Sequence, residues 1–520
     1  MTAGILSRRA GLGMALAGAA QAAAIAMPGS GQAHGGLQVL SLAFLAASLV
    51  RLARAPQASP VVRLKQAAWR AGVFATAWLA GSFWWLYVSM HDVGGLPGPL
   101  AAAAVLALAA ALSLFYALTC AAWVGLARHQ IWAQRPWGLS LLFAATWTLA
   151  ELMRGNWFTG FPWGAGGYAH VDSVLAAWAP WVGVYGMGAI AAALAMRLAL
   201  AGVSWRAAKA LIGVGLASWA LQAWGPAFTT SAGVGQVELL QANISQNAKF
   251  DVGSGIRDAL QWYDAQLRQS RQPLVVAPET AIPVLPRHLP PGYWASLQQH
   301  FAQPGRPLAL VGLPLGSADE GYANAVQALG PAGWMGYRYD KVHLVPFGEF
   351  IPPGFGWFVR QMQIPLGDFR PGRLDQPAIG WQGQRLAPNI CYEDLFGEEL
   401  AARFKDAALA PTVLVNVSNI AWFGDTLAVD QHLNISRLRA MELGRPMLRA
   451  TNTGATAIID HQGRVTHQLP RFTRGSLVGR YEGREGLTPY ARWAAAFGLW
   501  PLWGLCLGVV ALAFWRRRVR

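Results

Sequence analysis

Long apolar runs constrain this chain more than any other feature. Seven occur before residue 228, at about 10–27, 36–53, 69–90, 98–126, 137–152, 175–197 and 207–225, and an eighth closes the chain at about 491–515. A helix needs roughly 20 apolar residues to cross the hydrocarbon of a bilayer; most of these runs approach that length and the fifth falls short. Composition agrees. Of the 520 residues, 54% are hydrophobic and 13% charged, with 25 tryptophans, the balance of a membrane protein that carries a soluble part. The net charge of +16 does not gather into a basic stripe with interleaved aromatics, so it reads as topogenic and nucleic acid is not an expected partner.

The basic residues alternate from loop to loop. Arg8 and Arg9 precede the first run, and Arg51, Arg54, Arg63, Lys65 and Arg70 lie between the second and third. Arg128 and Arg135 follow the fourth, Arg197, Arg206 and Lys209 the sixth, and Arg516, Arg517, Arg518 and Arg520 the eighth. The intervening short loops hold little more than Arg154. The positive-inside rule then predicts both termini in the cytoplasm and the region from about 228 to 488 on the far side, periplasmic in a two-membrane bacterium. The first run also fits a secretory signal peptide; retention is favoured because a second run follows at once. The stretch from Glu151 to Gly164 sets an acid, a base and four aromatics at an outer interface. It suits either an aromatic belt with a snorkelling Arg154 or a re-entrant segment beneath the soluble domain.

From Gly235 the texture changes. Val237–Ile244, Leu274–Ala277, Leu308–Gly312 and Thr412–Val417 are short β-rich runs bounded by Gly, Pro or Asn. Ser254 to Gln272 and Asp430 to Leu443 show helical spacing. Strands alternating with helices over about 250 residues predict an α/β domain. The expected organisation is residues 1–227 as a membrane domain of about seven helices, 228–488 as the soluble α/β domain, and 489–520 as a last transmembrane helix with a basic cytoplasmic tail.

Three cysteines occur, and Cys120 and Cys506 lie in apolar runs. Cys391 alone stands in water-soluble sequence, at the end of the apolar lead Ala387-Pro388-Asn389-Ile390 and before Tyr392-Glu393-Asp394. A lone cysteine is most often a small buried core residue. Two other strand ends argue for more: Pro278-Glu279-Thr280 closes one, and Lys341 closes another. A thiol is largely protonated at neutral pH and its thiolate is the nucleophile. A carboxylate can take that proton, and an ammonium can favour the thiolate and hold the oxyanion formed on a carbonyl.

The surroundings resemble the carbon–nitrogen hydrolase (nitrilase) superfamily at Ala277-Pro278-Glu279-Thr280, at Tyr339 through Glu349, and at Ile390-Cys391-Tyr392-Glu393. Gln241 through Gln246, Ala421-Trp422-Phe423-Gly424, Arg437 through Pro446 and the Gly-Phe-Pro-Trp element ending at Trp163, together with the span pattern, resemble the apolipoprotein N-acyltransferase family. The resemblance implies a four-layer α-β-β-α sandwich beside about eight transmembrane helices. It implies Glu279 as general base, Lys341 as stabiliser of oxyanion and thiolate, and Cys391 as nucleophile. Glu349 would orient Lys341; Tyr392 and Glu393 would shape the pocket, with the Tyr392 N–H as a second oxyanion donor. Trp422 belongs to one of the shared motifs. Phe250 stands where the family has Trp after Lys249, keeping an aromatic wall, and Ile420 stands where it often has Asp.

The implied reaction is ping-pong acyl transfer from the sn-1 ester of a phospholipid, phosphatidylethanolamine being the family's preferred donor, to the α-amine of a diacylglyceryl-cysteine. No cofactor or metal is expected, since His343, His432, Glu393 and Asp394 form no close-spaced ligand motif. Phe350 to Val359 is too apolar for a solvated loop. It either packs on the membrane helices or forms a lid through Phe355, Trp357 and Phe358, with Gly354 and Gly356 lending freedom. A membrane-tethered amidase acting on small amides is the nearest alternative, sharing all three strand-end residues.

Overall fold

The computed structural model of the chain describes residues 2–55, 59–127, 135–202, 204–249, 254–331, 336–359 and 368–518. They fall into two compact units, Met1–Trp84 with Pro99–Pro226 and Leu499–Arg520, and Trp85–Gly98 with Ala227–Gly498.

The first unit is helical: α1 (Thr2–Ile25), α2 (Gly35–Arg54), α3 (Pro60–Ser82), α4 (Gly98–Ala127), α5 (Pro136–Asn156), α6 (Ala179–Ala201) and α7 (Trp205–Trp224), with a last helix, Trp500–Arg518, near the C-terminus. Among the described residues three helices are long and apolar enough to cross a membrane, or up to five if each of two bent pairs counts as one span. That is fewer than the eight expected. Helices do form at the first, fifth and seventh apolar runs, but Arg8 and Arg9, Glu151 and Arg154, and Arg206 and Lys209 dilute their apolar character. The third run is not continuous either, since α3 ends at Ser82 and Trp85–Gly98 folds with the second unit.

Arg154 does not snorkel. Helix α5 continues through Asn156, and the Arg154 side chain is wholly buried, with Nε donating to the Tyr116 hydroxyl (2.9 Å) and Nη1 to the Trp163 carbonyl (2.8 Å). Two of the three guanidinium nitrogens are bonded within the protein, Nη1 to the returning Phe161–Trp163 loop, which folds back and donates the Phe161 N–H to the Arg154 carbonyl.

The second unit contains two six-stranded sheets. One has the order β12-β1-β2-β3-β4-β5 and the other β11-β10-β9-β8-β7-β6. The strands are β1 (Thr229–Gln241), β2 (Leu274–Val276), β3 (Leu308–Ser317), β4 (Gly321–Leu329), β5 (Arg338–Asp340), β6 (Ile379–Trp381), β7 (Gln384–Ile390), β8 (Val413–Ser418), β9 (Met447–Thr451), β10 (Ala457–Ile459), β11 (Val465–Gln468) and β12 (Gly475–Gly486). Alternation of side chains along a strand explains the layering. Leu274 and Val276, Leu308 and Leu310, and Val413, Val415 and Val417 pack in one core between the sheets. Val275, Ala309 and Val311 point the other way, onto the helices Gly255–Gln269 (α8) and Tyr293–Ala302 (α9). Leu414 does the same on the second sheet, against Leu427–Leu443 (α10) and Pro489–Phe497 (α11). Burial on both faces is why these strands read as continuous apolar runs. The layers are therefore helix, sheet, sheet, helix.

Strands β1, β2 and β3 run parallel, as do β7, β8 and β9. Because β4 and β5 reverse twice, β5 points the same way as β3. The carboxyl ends of β2, β5, β7 and β8 therefore open in crevice position, the usual ligand edge of an α/β sheet.

Candidate active site

Each residue expected to carry chemistry stands just beyond one of those strand ends. Glu279 follows β2, Lys341 follows β5 directly, and Cys391 follows β7 directly. Thr280 (φ 48°), Phe347 (φ 65°) and Cys391 (φ 52°) all hold left-handed backbone without being glycine. Such conformations cost about 1–3 kcal/mol each and persist only where surrounding contacts enforce them. The chain is bent at the points where its side chains must converge.

Lys341 is 1% exposed and its ammonium lies between two carboxylates, 2.9 Å from Glu349 and 3.4 Å from Glu279. The Asn324 side-chain amide donates to both, 2.7 Å to Glu279 Oε1 and 2.8 Å to Glu349 Oε1. Glu279 Oε2 accepts the backbone N–H of Asn419 at 2.8 Å, and Glu349 Oε2 accepts that of Val345 at 2.8 Å. Burial opposes the charge on Lys341, but Glu349 and then Glu279 outweigh it and raise its pKa. The lysine is a fixed cation. Burial pushes the Cys391 thiol up to about 12, Glu279 adds to the rise, and Lys341 and the Ser418 side chain offset part of it. These effects together favour the thiol over a resting thiolate. The sulfur needs a base in the attacking step, and Glu279 acts on it electrostatically from the same cluster.

Glu393 also ties strand ends together. Its Oε1 accepts the N–H of Val342 and, at 3.3 Å, that of His343, while Oε2 accepts the N–H of Ile390. The Tyr339 hydroxyl donates to it at 2.9 Å. One buried carboxylate thus ties the end of β5 to the end of β7, across the two sheets, and sets Lys341 relative to Cys391. Glu393→Gln would turn an NH₂ toward N–H donors. We expect a loss of about 2–4 kcal/mol in stability and at least about tenfold in the rate of the reaction at Cys391, checked by thermal unfolding and by turnover.

Tyr392 is buried, its ring edge-on to Phe396 at 5.3 Å. Trp422 is half-buried in the turn Ile420–Phe423, where the neighbouring Phe423 meets Trp85 at 4.2 Å. Trp85 also donates its indole N–H to Gln431 (3.0 Å), so the segment after α3 is part of the catalytic unit's packing, which its apolar sequence concealed. Phe355 and Trp357 are exposed, at 46% and 59%, with Phe355 edge-on to Phe347 at 5.4 Å. Phe250 and the Phe358 side chain lie outside the described residues.

Several participants escaped the sequence reading. Asn324 left one trace, a polar residue at an inward position of the apolar strand β4. Lys249 is buried and donates to the Thr280 hydroxyl (2.6 Å) and the Glu279 carbonyl (3.2 Å), pinning the bent Glu279–Thr280 peptide. Burial lowers its pKa to about 7. The resemblance named its position but gave it no role.

A helix–sheet–sheet–helix sandwich with glutamate, lysine and cysteine gathered at its strand ends is the arrangement of a carbon–nitrogen hydrolase, and residues 236–482 match the Carbon-nitrogen hydrolase family model. Residues 19–197 match the model of the Apolipoprotein N-acyltransferase N-terminal domain. An apolipoprotein N-acyltransferase of Verminephrobacter eiseniae is 54% identical, covering 93% of this chain and 92% of its own. One of Ralstonia nicotianae is 46% identical over 93% and 89%. Among solved structures, an amidase from Nesterenkonia sp. aligns at 17% identity, covering 51% of this chain and 95% of its own with a TM-score of 0.36. The chain belongs to the apolipoprotein N-acyltransferase family.

Proposed function

We propose that this chain completes lipoprotein maturation by carrying an acyl group from a phospholipid to the N-terminal amine of a diacylglyceryl-cysteine, through a thioester on Cys391. Family membership supports N-acylation of lipoproteins and disfavours the small-amide alternative. The observation that carries the mechanism is the Lys341 ammonium clamped between Glu349 and Glu279 and acting on the Cys391 thiol.

In the first half-reaction Glu279 takes the thiol proton as the sulfur attacks the sn-1 ester carbonyl. Lys341 and the Tyr392 N–H receive the oxyanion. Collapse breaks the ester C–O bond, Glu279 returns the proton to the leaving alkoxide, and a lysophospholipid departs. In the second, the neutral α-amine attacks the thioester, Glu279 accepts a proton from nitrogen, and the amide forms as the thiol is restored. Glu349 holds Lys341 in place. Phosphatidylethanolamine is the donor the resemblance favours.

Both substrates are lipids, and withdrawing acyl chains into water costs about 0.8 kcal/mol per CH₂. The site therefore opens toward a leaflet. We read residues 1–227 and 489–520 as the part that carries the spans, about eight in the bacterial inner membrane with both termini cytoplasmic, apart from Trp85–Gly98 and Pro489–Phe497, which pack with a periplasmic catalytic domain of 228–488. The apolar, exposed Ile351, Phe355 and Trp357 around Gly354 (φ 88°) serve as a lid dipping into lipid, together with Phe358. Replacing Phe355 and Trp357 by Ser should lower transfer from bilayers about tenfold or more, while transfer from a short-chain donor in detergent stays near its original rate.

The decisive experiment incubates the purified protein with acyl-labelled phospholipid alone. A hydroxylamine-labile label on Cys391 and one equivalent of lysophospholipid are expected. Absence of both overturns the acyl-enzyme route.

A further inference from the structure

Behind Cys391, away from Glu279 and Lys341, lies a buried polar network that the acyl-transfer steps do not use. His432, on α10, places Nδ1 at 2.8 Å from Arg449 Nη2. Arginine only donates, so Nδ1 is the acceptor and the neutral ring carries its proton on Nε2. That Nε2–H faces Asp394 Oδ1 at 2.8 Å and the carbonyl oxygen of Cys391 at 3.2 Å. Asn416 Nδ2 reaches the same carbonyl at 3.4 Å. Arg449 and Ser436 both bond to Asp394 Oδ2, which closes the network, and His432, Asp394 and Arg449 are all 1% exposed or less.

The Cys391 carbonyl and the Tyr392 N–H belong to one peptide plane. In a trans peptide they point in opposite directions. Drawing the carbonyl back onto His432 therefore turns the Tyr392 N–H forward, to the side where the sulfur's adduct forms. The anchored carbonyl belongs to a residue at a left-handed φ of 52°, uncommon for a non-glycine residue. We propose that His432 is the positioning residue of the oxyanion hole: it anchors the Cys391–Tyr392 peptide so that the Tyr392 N–H meets the developing oxyanion. This rests on the acyl-enzyme reading above and adds a residue to it.

An oxyanion role separates from a merely structural one. The full-length protein in detergent is compared with His432→Leu and His432→Gln in three measurements. The first is thioester formation from labelled phospholipid. The second is inhibition by a long-chain aldehyde, whose hemithioacetal with Cys391 bears an oxygen in the oxyanion position. The third is alkylation of Cys391 by iodoacetamide, in which the S–C bond forms, iodide leaves and no oxyanion arises. His432→Leu should lower acylation and aldehyde affinity together by about 10²-fold, with alkylation within about threefold and KM little changed. Glutamine offers an acceptor to Arg449 and a donor to the carbonyl, so His432→Gln should recover most of the loss. If His432→Leu does not purify folded, Asn416→Ala, which removes the second donor to that carbonyl, should give the same split at smaller size. Alkylation falling in step with acylation, or folded variants unchanged in acylation and aldehyde binding, overturns the proposal. Absence of any thioester on the unaltered protein would instead reject the acyl-enzyme reading itself.

Discussion

Cys391→Ala is expected to abolish the labelled intermediate and to reduce acyl transfer at least about 10⁴-fold, since no other group on the chain can take the acyl chain as a thioester. Cys120 and Cys506 are buried in the helical unit. Stability should barely move. Cys391 is only partly enclosed, so deleting its sulfur leaves a small void worth about 1 kcal/mol. Its left-handed backbone adds a second expectation. Alanine inherits the steric conflict at φ 52°, whereas glycine does not. Cys391→Gly should therefore melt at or above Cys391→Ala while being equally inactive. A Cys391→Gly variant melting well below Cys391→Ala would show that the bend stores no strain. The unaltered thiol, pushed up to about 12, should also alkylate faster as pH rises from 7 toward 10, because only the thiolate reacts.

Lys341→Met carries the second large effect, and it strikes both stability and rate. The ammonium is the shared partner of Glu279 and Glu349, both of which are buried. Removing it leaves two carboxylates facing each other through Asn324, a loss of about 3–5 kcal/mol for an uncompensated buried charge. The oxyanion loses its cation as well, about 10²–10³ in rate. The Cys391 thiol loses a charge that lowers its pKa, so it climbs further. Together these should cost about 10⁴-fold or more in thioester formation. Adding Glu349→Gln to Lys341→Met should restore part of the melting temperature by removing one carboxylate charge, and none of the activity. Recovery of both would mean that Lys341 is structural alone. Recovery of neither would mean that Glu349 is not its electrostatic partner.

The amino-acid sequence determined what rests on local pattern. Apolar runs of spanning length, strands readable as Leu274–Ala277 and Thr412–Val417, and strand-terminal Glu279, Lys341 and Cys391 all announce themselves, because side-chain periodicity and chain termination are properties of neighbours. What only the tertiary structure decided is who meets whom. Asn324, 45 positions from Glu279, bridges two carboxylates; Glu393 ties two sheets; His432 reaches back 41 positions to the Cys391 carbonyl. Arg154, which local sequence left free to snorkel, is enclosed by the loop that follows it. Trp85, in a run that read as one continuous span, packs on Phe423. A hydrogen bond depends on distances set by the packing of sheets and helices far apart in sequence, and no local pattern encodes such a distance.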